Sequence, residues 1–427
     1  MSARTVSGPI DRVVVINDRS HARGGATALA LLSARLLAER GVPVTYIAGD
    51  DGEGFASLRS LGIACEAVGG RALVERGRIG AFVEGLYNAR ARALLTRWIA
   101  RYDTPRTLYH LHGWSKILSP AVFDALGAVR DRTVLHAHDY FLACPNGGFT
   151  NYPRGLVCER TPMSRACLLT QCDKRGGAQK AWRVARHALL TRMLDVCAMD
   201  VLLIHPAMRA SFERSGFASA RLHTVRNPVT PFCPPGSLDP ASREAIVFVG
   251  RLENEKGYMD AANAAKAAGV PIEFVGEGPG RAWLAQEHPD VPVHGWLDRS
   301  GMAPVLTRAR AVVMPSRWPE PFGLVAVEAL TSGLPVILPD KAALASEVAE
   351  FGAGLVYETA STDALADAFS RVQCDEAIGR MSRAALRHGP TMANTEDGWC
   401  DALLDRYANL LDRPLAPVNM DASRAAA

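Results

Sequence analysis

The sequence predicts an α/β protein built from two doubly wound, parallel-sheet domains. Three observations predict it. Short apolar runs alternate with helical patterns along most of the chain, as strand–helix–strand units require. The segment Asn227–Pro240 carries five prolines in fourteen residues and divides that pattern in two. The 427 residues, 48% of them hydrophobic, suffice for two or three domains with sizeable cores.

Composition narrows the class further. No run of eighteen apolar residues occurs, so no membrane-spanning helix is expected. The start, MSARTVSGPIDR, lacks the apolar core of a signal peptide, and nine cysteines in a chain of this length do not suggest a disulfide scaffold; a cytoplasmic location is expected. The net charge of +4 hides an asymmetry. Residues 1–240 hold 31 Lys+Arg against 19 Asp+Glu, and residues 241–427 hold 17 against 25. A first half at +12 suits an anionic membrane surface or nucleic acid, or is simply an arginine-rich solvated face.

In chain order, Arg12–Asp18 reads as the first strand. The pair Gly24-Gly25 opens a helix that Gly41 stops, and glycines there let backbone approach a ligand closely. Strands follow at Val44–Ala48 and Cys65–Val68, then one long helical stretch from Arg71 to Tyr102 that carries Arg90, Arg92, Arg97 and Arg101. Thr107–Gly113 and Thr133–Asp139 are the next strands. They bring His110 and His112, then His136, His138 and Asp139, to strand carboxyl ends, where ligands bind in open parallel sheets.

From Tyr140 to Gly177 the periodicity breaks, and Cys144, Cys158, Cys167 and Cys172 fall in this loop. Four thiols can clamp such a segment around zinc, but their spacing is not the paired C-x-x-C of common zinc sites. Free loop cysteines fit the pattern too, and an iron–sulfur cluster is a third option. The next helix, Gln179–Cys197, is expected to add Lys180, Arg183, Arg186 and His187 to a basic surface. Asp200–His205 and Leu222–Val225 close the first domain, and Asn227–Pro240 reads as the linker.

The second half carries three chemical motifs. Strand Ala245–Gly250 runs into Arg251 and Lys256, two cations that can face one diphosphate. Strand Ile272–Gly278 ends in Gly276-Glu277-Gly278, whose spacing fails the G-x-G-x-x-G nicotinamide fingerprint. Ala311–Met314 leads through PSRWPEPFG into a helix from Gly323 to Ser332, with Glu320 before it and Glu328 within it. Helix N-termini suit phosphate, and carboxylates accept sugar and ribose hydroxyls; an ordinary acidic helix start has the same appearance. Val336–Pro339 and Leu355–Tyr357 complete the sheet, and helices are expected at Asp363–Gln373, Glu376–His388 and Thr395–Leu411.

With FVGRLENEKG, FVGEGPG and PSRWPEPFGLVAVEAL in this order, the chain resembles the retaining glycosyltransferases of family 4. The resemblance implies the GT-B fold: two Rossmann-like doubly wound parallel-sheet domains facing across a cleft. It divides the chain into an acceptor-binding domain (1–226), a linker (227–240), a nucleotide-sugar-binding domain (241–392), a helix crossing back to the first domain (393–413) and a disordered tail (414–427). The first eight residues are expected to be disordered as well.

By the same resemblance, His112, Glu320, Arg251 and Lys256 are catalytic. Arg251 and Lys256 neutralise the leaving diphosphate, Glu320 holds the donor sugar, and Glu328 holds the ribose. Gly24, Gly25, His138, Asp139, Gly276, Glu277, Gly278, Phe322, Gly323 and Leu324 complete the donor site, and Val291–Leu297 lines the base. The chain has no Asp-x-Asp, so the diphosphate needs no bridging metal and no cofactor is required for catalysis; structural zinc in the cysteine loop stays open.

The implied donor is a UDP- or GDP-sugar, and the acceptor a glycan or lipid-linked glycan in bacterial polysaccharide or glycolipid assembly. Peripheral contact with an anionic inner membrane face fits the basic half; nucleic acid is not expected. A sugar-nucleotide epimerase of related fold and a non-catalytic nucleotide-sugar-binding module are the alternatives.

Overall fold

The structure, a computed structural model, describes residues 10–412 apart from 23, 76 and 195–197. The two expected disordered ends fall outside the described residues.

Two parallel sheets form the frame. The first has seven strands: β1 (Arg12–Asn17), β2 (Val44–Ala48), β3 (Ala64–Ala67), β4 (Thr107–Leu111), β5 (Thr133–Ala137), and, after a small antiparallel hairpin of β6 (Thr150–Asn151) and β7 (Leu156–Val157), β8 (Asp200–Leu203) and β9 (Leu222–Thr224). Its order is β3-β2-β1-β4-β5-β8-β9. The second has five: β10 (Ala245–Val249), β11 (Ile272–Val275), β12 (Ala309–Val313), β13 (Val336–Pro339) and β14 (Gly354–Tyr357), ordered β11-β10-β12-β13-β14.

Val13 to Ile16 and Ala311 to Val313 are fully buried because helices cover both faces, which is why these strands read as unbroken apolar runs. In each sheet the strand order reverses once, between β1 and β4 and between β10 and β12. A crevice opens outside the carboxyl ends at each reversal.

The last helix, Glu396–Leu411, packs on the first sheet rather than the second. Trp399, Leu403, Tyr407 and Leu410 are spaced so that one stripe of the helix is apolar, and all four are buried against the helix Gly25–Glu39 and its strands. Burial of such side chains contributes about 2 kcal/mol each. Arg35 and Arg40 flank the stripe with ion pairs to Glu396, Asp397 and Asp401.

Two expectations need correction. The stretch 71–102 is not one helix: it breaks at Tyr87, and Asn88 caps a new helix, Ala89–Tyr102, by accepting from the Ala91 N–H. Asn88 also donates to the Ile117 carbonyl, so the break is held from outside. The cations of helix Gly177–Met193 do not form a basic surface either. Arg186 is buried, donates to the carbonyls of Gly85 and Ser115, and lies over the Trp114 ring. Lys180 is buried among sulfurs, His187 is buried, and Arg183 pairs with Asp173. Periodicity marked this helix as two-sided but could not say that its cationic side faces inward.

Candidate active site

One side of the crevice is built from the loops after β10 and β12. Gly257, which ends the β10 loop, has left-handed backbone, and a Cβ there would lie 1.9 Å from the Pro315 carbonyl oxygen. Glycine thus lets the loop bearing Arg251 and Lys256 touch the loop bearing Glu320. The result is an ion pair: Lys256 Nζ lies 2.6 Å from Glu320 Oε2. Ser316 Oγ at 3.1 Å and Trp318 Nε1 at 3.0 Å donate to the same oxygen, and the Lys256 ammonium sits over the Trp318 ring. Arg251 is exposed and paired with Glu253 at 2.5 Å. Both candidate diphosphate cations therefore rest on carboxylates of their own crevice.

Gly276 and Gly278 hold the β11 loop against this one; a Cβ on Gly276 would lie 1.8 Å from the Gly250 carbonyl oxygen. Glu277 points away, into a surface pair with Arg281. Phe322 is buried, and Gly323, with left-handed backbone, caps the helix Leu324–Thr331. Glu328 on that helix pairs with Arg299 at 3.1 Å, and burial pushes its carboxyl up to about 6 against the pull of Arg299. Arg299 also donates to the carbonyls of Thr230 and Pro231, tying the linker to this edge. Val291–Leu297 forms no strand; Val293 makes one isolated bridge to Phe274.

The two halves meet at the glycine pair. A Cβ on Gly25 would lie 2.9 Å from Leu324 Cδ1, so the first helix of one domain abuts the glutamate helix of the other. Lys174, from the cysteine loop, pairs with Glu255, the chain neighbour of Lys256.

The facing wall is a ladder of histidines. Residues 110, 112, 136 and 138 alternate on two paired strands and share the face covered by the helices Gly25–Glu39 and Glu396–Leu411. Adjacent rings stack, with centroids 4.2 Å apart for His136 and His138 and 4.8 Å for His112 and His136. Burial drives His110 and His138 down to about 3 and holds His112 and His136 far below the usual range, so all four are neutral.

Their tautomers follow from the hydrogen bonds. Ser33 gives its proton to the Ala30 carbonyl, so it accepts from His112 Nε2–H at 3.2 Å. His112 Nδ1 then accepts from His138 Nε2–H at 3.0 Å. Among the described residues, His138 Nδ1 is left as a buried lone pair without a partner. Both His112 nitrogens are thus occupied within the protein. His112 and His138, with Asp139, line a cavity of about 60 Å³ at the β1–β4 reversal. Burial raises Asp139 to about 6.

Asp18, which the sequence reading passed over, orders that cavity by accepting the backbone N–H groups of Lys116, Ile117 and Leu118. Ser33, Trp318, Ser316 and Arg299 were missed as well. Only Ser316 and Trp318 had a signal, their alternation with Glu320 along one loop.

The cysteine loop gathers three thiols, not four. Cys144, Cys167 and Cys172 are buried around Asn146 and Lys180, whereas the Cys158 sulfur has Arg160 as its neighbour. Among the described residues, the side chains spaced closely enough to hold one ion are His110, His112 and His136. There a hydrogen bond already joins His110 Nε2 and His136 Nδ1 at 3.1 Å, and Tyr407 holds His110 Nδ1 at 2.6 Å.

Comparison with known proteins agrees with this layout. The chain is 29% identical over 272 residues to a glycogen synthase of Mycobacterium tuberculosis, covering 59% of this chain and 63% of the relative. It thus spans less than two thirds of that relative's length. In structure it is similar to a sucrose-phosphate synthase from Thermosynechococcus elongatus, with a TM-score of 0.69 at 19% identity over 94% of this chain and 99% of the other. It is also similar to Anabaena HepE in complex with UDP, with a TM-score of 0.66 at 14% identity over 93% of this chain and 100% of that one. Residues 235–387 match the family described as glycosyl transferases group 1, and the similar structures share the GT-B fold over nearly the whole chain.

Proposed function

We propose that the protein is a retaining, metal-independent glycosyltransferase that moves a sugar from a nucleoside diphosphate sugar to an acceptor hydroxyl. The observation that carries this reading is the Lys256–Glu320 pair. It sets a cation for phosphate beside a carboxylate for sugar, at the N-terminus of a helix. When donor binds, the phosphates displace Glu253 and Glu320 as partners of Arg251 and Lys256. Both cations then neutralise charge on the departing diphosphate, and helix dipoles complete what a metal supplies elsewhere.

Three donors converge on Glu320 Oε2, which orients Oε1 for donor-sugar hydroxyls. Glu328 takes the ribose, with Arg299 as the partner it exchanges. On the opposite wall, His138 Nδ1 accepts a hydroxyl hydrogen, and His112 positions His138 rather than touching sugar. In a retaining reaction the departing phosphate oxygen takes the acceptor proton on the same face of the sugar. UDP bound to HepE and the glucan chemistry named for the glycogen synthase support a nucleotide-sugar donor, UDP-linked before GDP-linked.

We further propose a lipid-linked or glycan acceptor met at the cytoplasmic face of a membrane. No helix among the described residues is long and apolar enough to cross a membrane. The first domain instead exposes Val74, Phe82 and Val83, and the following helix Ala89–Tyr102 exposes Arg90, Arg97 and Arg101. Apolar side chains flanked by cations suit an anionic lipid surface. Thermal shift with UDP, GDP and ADP tests the donor reading first, since a nucleotide bound to the folded state raises its melting temperature. A rise with UDP is expected; no shift with any nucleotide would count against the reading.

A further inference from the structure

The three gathered thiols lie outside the proposed transfer site, and their hydrogen bonds have a direction. Cys144 donates its thiol hydrogen to Asn146 Oδ1 at 3.2 Å, and burial raises that thiol to about 11, so it stays protonated. The Asn146 amide donates in turn to the Cys172 sulfur at 3.4 Å. Lys180 Nζ donates to the same sulfur at 3.2 Å and reaches Cys167 at 3.7 Å. Cys172 therefore receives two donors, one of them an ammonium.

Lys180 is 5% exposed, and its partners among the described residues are sulfurs. A buried ammonium needs a counter-charge. Asp173, the nearest carboxylate in sequence, is taken by Arg183 at 2.7 Å. At 3.2 Å the Cys172 sulfur is the closer of the two to this ammonium, and a cysteine sulfur that accepts from a lysine is the kind that reacts.

We propose that Cys172 is a modification site: a thiolate held by Lys180 and Asn146 that a peroxide-class oxidant converts to a disulfide with Cys167. The Cys172 sulfur attacks one peroxide oxygen and the O–O bond breaks. The departing hydroxide takes a proton from Lys180 and leaves as water, and Cys172 becomes a sulfenic acid. Cys167 sulfur then attacks Cys172 sulfur, the S–S bond forms, the S–O bond breaks, and the second hydroxide leaves with the Cys167 proton. Two electrons pass from the two sulfurs to the peroxide. Both sulfurs lie within reach of one Nζ, so they are no more than about 7 Å apart, and a shift of the loop between them closes the bond.

Trypsin should release both cysteines in a single peptide, residues 166–174, ACLLTQCDK. After brief exposure of the reduced, full-length protein to hydrogen peroxide, that peptide should be lighter by two hydrogens and regain them with a thiol reductant. The exposed Cys374 should react more slowly. Lys180→Met should slow the oxidation by roughly tenfold or more. If Lys180→Met does not fold, wild-type protein at neutral pH should still show thiolate absorbance that Cys172→Ser lacks. Oxidation no faster than at Cys374, no absorbance difference, or about one zinc per chain released from these sulfurs would each overturn the proposal.

Discussion

At the scale of residues, Lys256 is the side chain on which the transfer reading turns. It is half-buried and bonded to Glu320, so on the proposed reading its removal takes a cation from the diphosphate and loosens Glu320 at once. Lys256→Ala should lower turnover of a nucleotide sugar by roughly a hundredfold or more, the scale of one lost electrostatic stabiliser. Ser316 and Trp318 still hold Glu320, so the fold should persist. Initial rates and circular dichroism on one preparation check both halves; a fully active variant would remove Lys256 from the site.

Arg186 belongs to the opposite class. Burial lowers its guanidinium to about 10, yet two backbone carbonyls and Trp114 hold it. Arg186→Glu should destabilise the protein by about 3 kcal/mol or more, since it places an unpaired carboxylate where donors to carbonyls stood. Denaturant unfolding would show this as a lower midpoint.

At the scale of elements, the histidine ladder makes the first sheet sensitive to acid. Each imidazole has its folded pKa depressed, to about 3 for His110 and His138, while the unfolded chain titrates near the ordinary value. Below about pH 6.5 the unfolded state binds protons that the folded state refuses, so stability present above that value is lost as pH falls. Each histidine contributes up to about 1.4 kcal/mol per pH unit in this window. Asp139 and Glu328, raised to about 6, have the opposite sign: their ionisation weakens the fold as pH rises through that value. Unfolding at pH values from about 7.5 down to about 5 should therefore show a steep loss, and His110→Asn should flatten it. An equally steep loss in that variant would exclude His110 as a source.

Strands and most helices were legible because apolar runs and capping glycines mark them directly. The break at Asn88 was not, because residues 89–102 are as helical in pattern as those before it, and the bonds that hold the break come from residues 117 and 119. Glu320, Glu328, Arg251 and Lys256 were legible as a spaced motif. The roles of Ser33 and Arg299 were not, since each meets its partner only across the fold. The inward face of helix Gly177–Met193 was hidden for the same reason. Lys180 and Arg186 look like surface cations until the carbonyls and sulfurs they meet are in place.

At the scale of the whole molecule, the +12 of the first half overstates its basic surface. Lys180 and Arg186 are interior, and Arg132 is spent on Asp103 and two carbonyls. Among the side chains that stay outside are Arg90, Arg97 and Arg101 and the apolar Val74, Phe82 and Val83. The protein should therefore sediment with anionic vesicles at low salt and not with neutral ones, and Phe82→Glu with Val83→Glu should weaken this while leaving donor turnover intact. Protein that stays in the supernatant with both vesicle types would make a soluble acceptor the better reading.

Transfer of sugar from a nucleotide donor by this crevice is open to a direct assay. Radiolabelled UDP-glucose and GDP-mannose are incubated with the protein in EDTA, and the products are separated as free nucleotide, isomerised donor and labelled glycan or free sugar. Loss of label from one donor into glycan or free sugar is expected, with matching release of nucleoside diphosphate and no dependence on added metal. Label recovered wholly as an isomerised nucleotide sugar, or left untouched with nucleotide demonstrably bound, would contradict it.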